Sequence, residues 1–131
     1  MSFSLPKSSR LNSRKAIQEL FNSGKRINSY PLSCRYLWKS EEESDLQFGV
    51  SISKRNFKKA VTRNRIKRLV RESYRLKKNN LEICCRNKNI GLNLFILFIG
   101  KEEPSFAAVD KALEHLIGRL LKEFESDEKG E

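Results

Sequence analysis

The chain has 131 residues, 38% of them hydrophobic, and a formal net charge of +11. That length supports one domain with a modest core, and so large a positive charge argues for a polyanionic partner rather than for any particular fold. The longest apolar run, Leu92 to Ile99 interrupted by Asn93, is too short to span a bilayer, and Met1 to Arg10 contains no apolar run of the kind a signal peptide needs.

Residues 1–10 read as an extended basic arm. Asn12 and Ser13 are good N-caps, and Ala16, Ile17, Leu20 and Phe21 follow at helical spacing, which predicts a helix over about 13–23 closed by Gly24 in the left-handed conformation. Leu32 to Lys39 reads as a strand. After a polar, acidic turn over 40–45, Leu46, Phe48, Val50 and Ile52 alternate with Gln47, Gly49, Ser51 and Ser53, the pattern of a half-buried strand. These two strands are expected to form a hairpin. Residues 62–78 read as a helix with Thr62 at its start, and a short extra strand is expected near Lys59–Val61. Ile66, Leu69, Val70 and Ser73 lie within about 80° on its wheel, while Arg63, Lys67, Arg71 and Arg75 repeat every fourth residue on another side. Leu92 to Ile99, apolar on both faces, is expected at the centre of the sheet. Pro104 and Ser105 then open a helix with one apolar stripe from Phe106 to Phe124. The predicted architecture is a single-domain α+β sandwich over residues 1–124, in the order α-β-β-(β)-α-β-α, with residues 125–131 as a disordered charged tail.

The charge is not spread evenly. Of 27 basic and 16 acidic residues, twelve basic and one acidic (Glu72) fall between Lys54 and Lys78, which leaves fifteen of each elsewhere. The whole excess therefore sits in one segment, the footprint expected of a phosphate-binding surface. A basic run is most often a solvated helix face. Here like charges repeat at i, i+4 with scarcely an acid to relieve them, and such repeats cost helix stability unless an anion offsets them. Arginine also outnumbers lysine in the helix, and its fork matches phosphate oxygens.

Arg63-Asn64-Arg65 followed by Ile66-Lys67-Arg68-Leu69-Val70-Arg71 resembles the RNR signature of the protein subunit of bacterial ribonuclease P. The preceding strand, Phe48-Gly49-Val50-Ser51-Ile52-Ser53-Lys54-Arg55, is similar to that family's glycine-containing strand. Arg10-Leu11, then Gln18 to Phe21 and Gly24, resemble its first helix, and Phe95 to Ile99 with Leu113 to Leu121 its last strand and helix; the resemblance covers about residues 5–121. The Lys58-Lys59 pair departs from the small turn, often Gly-Asn, usual in the family before Ala-Val.

The resemblance implies a left-handed β-α-β crossover, which runs against the usual preference and is not derivable from pattern. It further implies two partners, the catalytic ribonuclease P RNA and precursor tRNA, with Mg²⁺ bound mainly through the RNA and no organic cofactor. Lys59, Arg63, Asn64, Arg65 and Arg68 would meet the catalytic RNA. Ile17, Phe21, Tyr36, Ser51, Ser53, Lys54, Lys67 and Arg71 would meet the single-stranded 5′ leader in a cleft, where aromatics act as stacking platforms. Phe21 suits a core position as well as a stacking wall, and serines are common on any solvated face.

No residue pattern in the chain suggests a reaction centre. There is no Gly-rich phosphate loop and no carboxylate set suited to two metals. Glu41, Glu42, Glu43 and Asp45 read as a solvated turn, and His115 as exposed and idle. With one histidine and no CxxC, a zinc site lacks ligands. Cys34, Cys84 and Cys85 read as reduced packing thiols, because an odd count with two adjacent residues makes a poor disulfide framework. The expected protein is cytoplasmic, membrane-free and without an obligate protein partner.

Overall fold

The computed structural model describes residues 14–39, 46–88 and 90–129, with side chains to Glu123. In chain order the elements are α1 (Arg14–Ser23), β1 (Lys25–Ser29), β2 (Leu32–Lys39), β3 (Leu46–Ile52), α2 (Ala60–Lys77), α3 (Asn79–Lys88), β4 (Gly91–Phe98) and α4 (Phe106–Lys129). The four strands form one sheet in the order β1-β2-β4-β3. β4 runs antiparallel to β2 and parallel to β3. The chain is thus a mixed α+β domain, with the doubly apolar strand in the centre.

The expected hairpin between β2 and β3 does not form. β2 turns back on β1 through Tyr30-Pro31, with Ser29 opposite Leu32, and β4 separates β2 from β3. Burial explains the order. All of β4 except Leu97 is fully buried, whereas five of the seven β3 residues are half-exposed, as an edge strand permits. β1 escapes the sequence pattern because Ile27 is its single buried residue. α3 escapes it because only Leu81 and Cys85 are buried along its length.

Helices cover both faces of the sheet. On one side α2, α3 and α4 enclose the main core, where Leu32, Cys34, Tyr36, Phe48, Leu92, Leu94 and Ile96 meet Ile66, Val70, Tyr74, Leu113, Leu116 and Leu120. Tyr74 stacks on Phe48 at a centroid distance of 3.8 Å. α2 is further locked to α4 by Asp110, which accepts a hydrogen bond from Ser73 Oγ at 2.7 Å and pairs with Lys77 at 3.0 Å. On the other side α1 lies over β2 and β4, where Leu20 and Phe95 form a small second cluster with Ile17, Leu37 and Leu97. Burial pushes the Cys34 thiol up to about 12 and that of Cys85 to about 11, so both stay protonated.

Three boundaries differ from expectation. α2 starts at Ala60, and the segment read as a short strand is its N-cap and first turn. Gly24 closes α1 without a positive φ; it is required because a β-carbon there would collide with the Leu20 carbonyl oxygen. α4 continues to Lys129, five residues past the expected end of its apolar stripe at Phe124. Helix propagation adds one hydrogen bond per residue fixed, and Glu and Lys are good helix formers. The basic arm, the acidic turn over 40–45 and residues 130–131 lie outside the described residues.

Candidate RNA interface

The charged segment begins where β3 ends. Ser53 is exposed, and its Oγ accepts the Arg55 backbone N–H at 3.2 Å, which fixes the turn that presents Lys54 and Arg55. Lys59 occupies the N-cap of α2 with φ −81° and ψ 126°, an extended conformation open to any residue. Lys59 therefore needs no glycine-like backbone. Lys59 makes no side-chain cap hydrogen bond, and the first turn of α2 holds no acid. Its leading N–H groups and positive dipole end are left facing Lys58 and Lys59, an arrangement that favours anions.

Along α2 the cations divide. Arg63 is half-buried, and its NH1 donates to the carbonyls of Phe57 (2.6 Å) and Lys58 (2.8 Å), so it holds the turn as well as lining the surface. Arg65 pairs with Glu103 across the α2–α4 side, and Arg75 with Glu72 at 2.8 Å. The repulsion along the stripe is thus relieved partly from within. Arg68 is exposed and, like Lys54, Arg55, Lys58 and Lys59, has no side-chain partner among the described residues. Asn64 and Arg71 are exposed and Lys67 is half-buried.

The outer face of the sheet carries the second part of the candidate interface. Across it, Gly49, Phe95, Arg35 and Arg26 fall in one register row, and Ser51 sits beside Leu97 in the next. Phe21 from α1 rests edge-on against Phe95 at 5.8 Å and is still 39% exposed, so it is not ordinary core. Ile17 packs into the cluster beneath it. Gly49 contributes no side chain next to Phe95, and Gln47, Gly49 and Ser51 are half-exposed. Among the described residues this leaves a shallow groove between α1 and the edge strand β3.

Tyr36 is not in that groove. It lies on the opposite face, 2% exposed, with its hydroxyl donating to the Glu123 carboxylate. Burial, then that hydrogen bond, hold its phenol well above the usual range. Strand alternation requires this placement, since Leu32, Cys34 and Tyr36 share one face and Ser33, Arg35 and Leu37 the other. The groove residue on β2 is Arg35, which sequence reasoning missed. Its guanidinium carbon stands 4.7 Å from the Phe21 ring centroid, and NH1 donates to the Phe21 carbonyl at 3.4 Å. Its Nε is buried without a hydrogen-bond partner among the described residues, which is unusual for a buried donor. The sequence signal was there in the parity of the strand.

α2 packs against the core face of β3, so a path from Phe21 to Lys67 and Arg71 runs around the edge of that strand. Ile17, Phe21, Arg35 and Ser51 are brought together on the outer face; Ser53 and Lys54 follow at its margin. Among the described residues no three His, Cys, Asp or Glu side chains cluster as a metal site would require. A Mg²⁺ cage built from these protein side chains alone does not fit. No described helix is long and apolar enough to cross a membrane.

These features define a single-domain α+β protein with a basic face suited to a polyanion. The family model described as Ribonuclease P matches residues 5–121. A ribonuclease P protein component from Porphyromonas gingivalis is 37% identical over 119 residues, covering 90% of this chain and 87% of that one. One from Geotalea uraniireducens is 33% identical, covering 92% and 97%. The ribonuclease P protein of Staphylococcus aureus superposes with a TM-score of 0.71 at 19% identity, over 87% of this chain and 96% of the other. The chain belongs to the ribonuclease P protein family, whose members are protein components of a ribonuclease ribonucleoprotein with an RNA partner.

Proposed function

We propose that this chain is the protein subunit that docks on the catalytic RNA of ribonuclease P and grips the 5′ leader of precursor tRNA. The observation that carries the reading is a set of cations without side-chain partners among the described residues: Lys54, Arg55, Lys58 and Lys59 before the start of α2, and Arg68 midway along it. Lys59, Arg63, Asn64, Arg65 and Arg68 form the face toward the catalytic RNA. The leader lies on the outer face of the sheet, over Ile17, Phe21, Arg35 and Ser51, passes Ser53 and Lys54, and reaches Lys67 and Arg71 around the β3 edge. Single strands are commonly held this way, by a basic groove with stacking platforms.

The catalytic centre and its Mg²⁺ belong to the RNA. The protein supplies fixed cations near the phosphates, which lowers the divalent ion needed to bring two polyanions together. It acts in the cytoplasm, without a further obligate protein partner. The test is cleavage of precursor tRNA by the matching catalytic RNA at low Mg²⁺, with and without this chain. Stimulation by the chain, and no specific cleavage by rigorously RNA-free protein, is the expected result. Specific cleavage by the protein alone would overturn the assignment of the chemistry to RNA.

A further inference from the structure

A second groove, of about 930 Å³, opens at the other end of the sheet, between the β1–β2 turn and the start of α4. Its floor is apolar: Pro31, Phe98, Gly100, Ala108 and Ala112. Gly100 is needed for that floor to close, because a β-carbon there would come within 2.8 Å of the Phe98 ring and 3.1 Å of Pro31. Tyr30 stands at the rim with 73% of its surface exposed. It is not on a loose loop, since the turn has only two residues and the Pro31 carbonyl accepts the Ile99 N–H at 2.8 Å. An exposed aromatic on a fixed support is a recognition feature rather than a packing one.

Cations surround this platform. The cations of the groove are Lys101 and Lys111, with the His115 imidazole beside them, and none of the three has a side-chain partner among the described residues. Of its two acids, Glu102 is exposed and Glu103 is held by Arg65. That ion pair joins the groove to the basic face of α2. Asn56, in the loop before α2, also donates to the Gly100 carbonyl at 3.3 Å. These two contacts make the groove and the start of α2 neighbours on the protein surface.

We propose that this groove is a second single-stranded RNA site, in which a base stacks on Tyr30 and the adjoining phosphates lie on Lys111 and Lys101. The proposal rests on the reading that the partner is RNA. Aromatic platform, apolar floor and free cations together suit a nucleotide, which presents a flat apolar face and an anion a few ångströms apart. His115, at the next turn of α4 from Lys111, adds a donor at the same margin.

The test is NMR titration of the full chain with octauridylate, an unstructured probe. The expected result is shifts at Tyr30, Gly100, Ala108 and Ala112, separate from those around Phe21 and Ser51. Tyr30→Ala should weaken binding in this groove by roughly tenfold, the scale of one lost stacking contact, and leave the Phe21 side unchanged. Tyr30→Phe should retain it, and Lys111→Glu should weaken it. Because Tyr30 is exposed, the variants should keep the native spectrum. Silent groove resonances, or a folded Tyr30→Ala variant with unchanged affinity there, would overturn the inference. So would equal shifts from octaglutamate, which would make this a docking site for acidic protein. If the resonances of α2 and the Phe21 side are silent too, the RNA-binding reading itself fails; if they move and the groove does not, only the second site is lost.

Discussion

Replacing Phe21 by alanine separates a stacking wall from a packing residue. The ring rests on Phe95 and under Arg35 but is 39% exposed. Full burial of a phenylalanine contributes about 1.5–3 kcal/mol, so losing this partly buried one should cost about 1–2 kcal/mol of stability. A domain with about 5–15 kcal/mol in hand stays folded. A stacked base is worth about 1–3 kcal/mol by alanine substitution, and ~1.4 kcal/mol is a factor of ten in affinity. Phe21→Ala should therefore reduce the affinity of reconstituted ribonucleoprotein for precursor tRNA by roughly tenfold. Mature tRNA lacks the leader, and its affinity should barely change, so the quantity to measure is the precursor-to-mature ratio. Tyr36→Phe is the control from the opposite face of the sheet. It removes the hydrogen bond to Glu123 and should lower thermal stability while leaving the ratio alone. An unchanged ratio in folded Phe21→Ala, or an equal fall in Tyr36→Phe, would refute the placement of the leader on the α1 face.

The remaining predictions concern charge. Arg68→Ala should flatten the salt dependence of RNA affinity by about 0.7–0.9 in log–log slope, one phosphate contact; Arg119→Glu, on exposed α4, should change it much less, and equal effects would dissolve the localised face. Arg63→Ala should lower both RNA affinity and melting temperature, because its guanidinium holds the Phe57 and Lys58 carbonyls; a pure binding defect with unchanged melting would show that those bonds contribute nothing to the fold. Asp110 is held below the usual aspartate range, first by the Ser73 hydroxyl and then by Lys77. Its folded pKa is depressed, so its contribution is present above the unfolded value of about 3.9 and is lost as pH falls below it. Urea melts against pH should show Asp110→Asn less stable than the parent at neutral pH, with the gap closing in acid.

The elements that were legible in the sequence are those that bury a whole face. α1, β2, β3, α2 and α4 repeat their apolar residues at a clear period, β4 is a nearly unbroken apolar run, and the structure forms all six. β1 and α3 bury one and two residues, too few to make a period. Strand pairing was not legible from the strands themselves. A hairpin between β2 and β3 is the local solution, and it loses to a sheet that puts β4 between them and covers both faces of that strand. On the interface, the basic face could be read directly because charge density is a local property. The groove could not, since Phe21, Arg35, Gly49 and Phe95 come from four elements. Tyr36 was misplaced by composition: an aromatic suggests stacking, but the parity of β2 decides the face.

The fold also sorts its own charge. Toward the C-terminal half of α2, Arg75 pairs with Glu72 and Lys77 with Asp110, so these cations fasten the helix to itself and to α4. At the N-terminal end Arg63 turns inward to carbonyls, Arg65 meets Glu103, and Lys54, Arg55, Lys58, Lys59 and Arg68 remain without partners among the described residues. Four of these cations, Lys54, Arg55, Lys58 and Lys59, precede the helix start, where the dipole is positive and no first-turn acid offsets it. That is the part of the protein whose electrostatics the fold leaves least compensated, and the part a phosphate backbone would relieve most. A ligand that binds only the folded form stabilises it in proportion to ligand occupancy. On the proposed docking, binding and folding would be coupled through the same end of one helix, with Arg63 serving both.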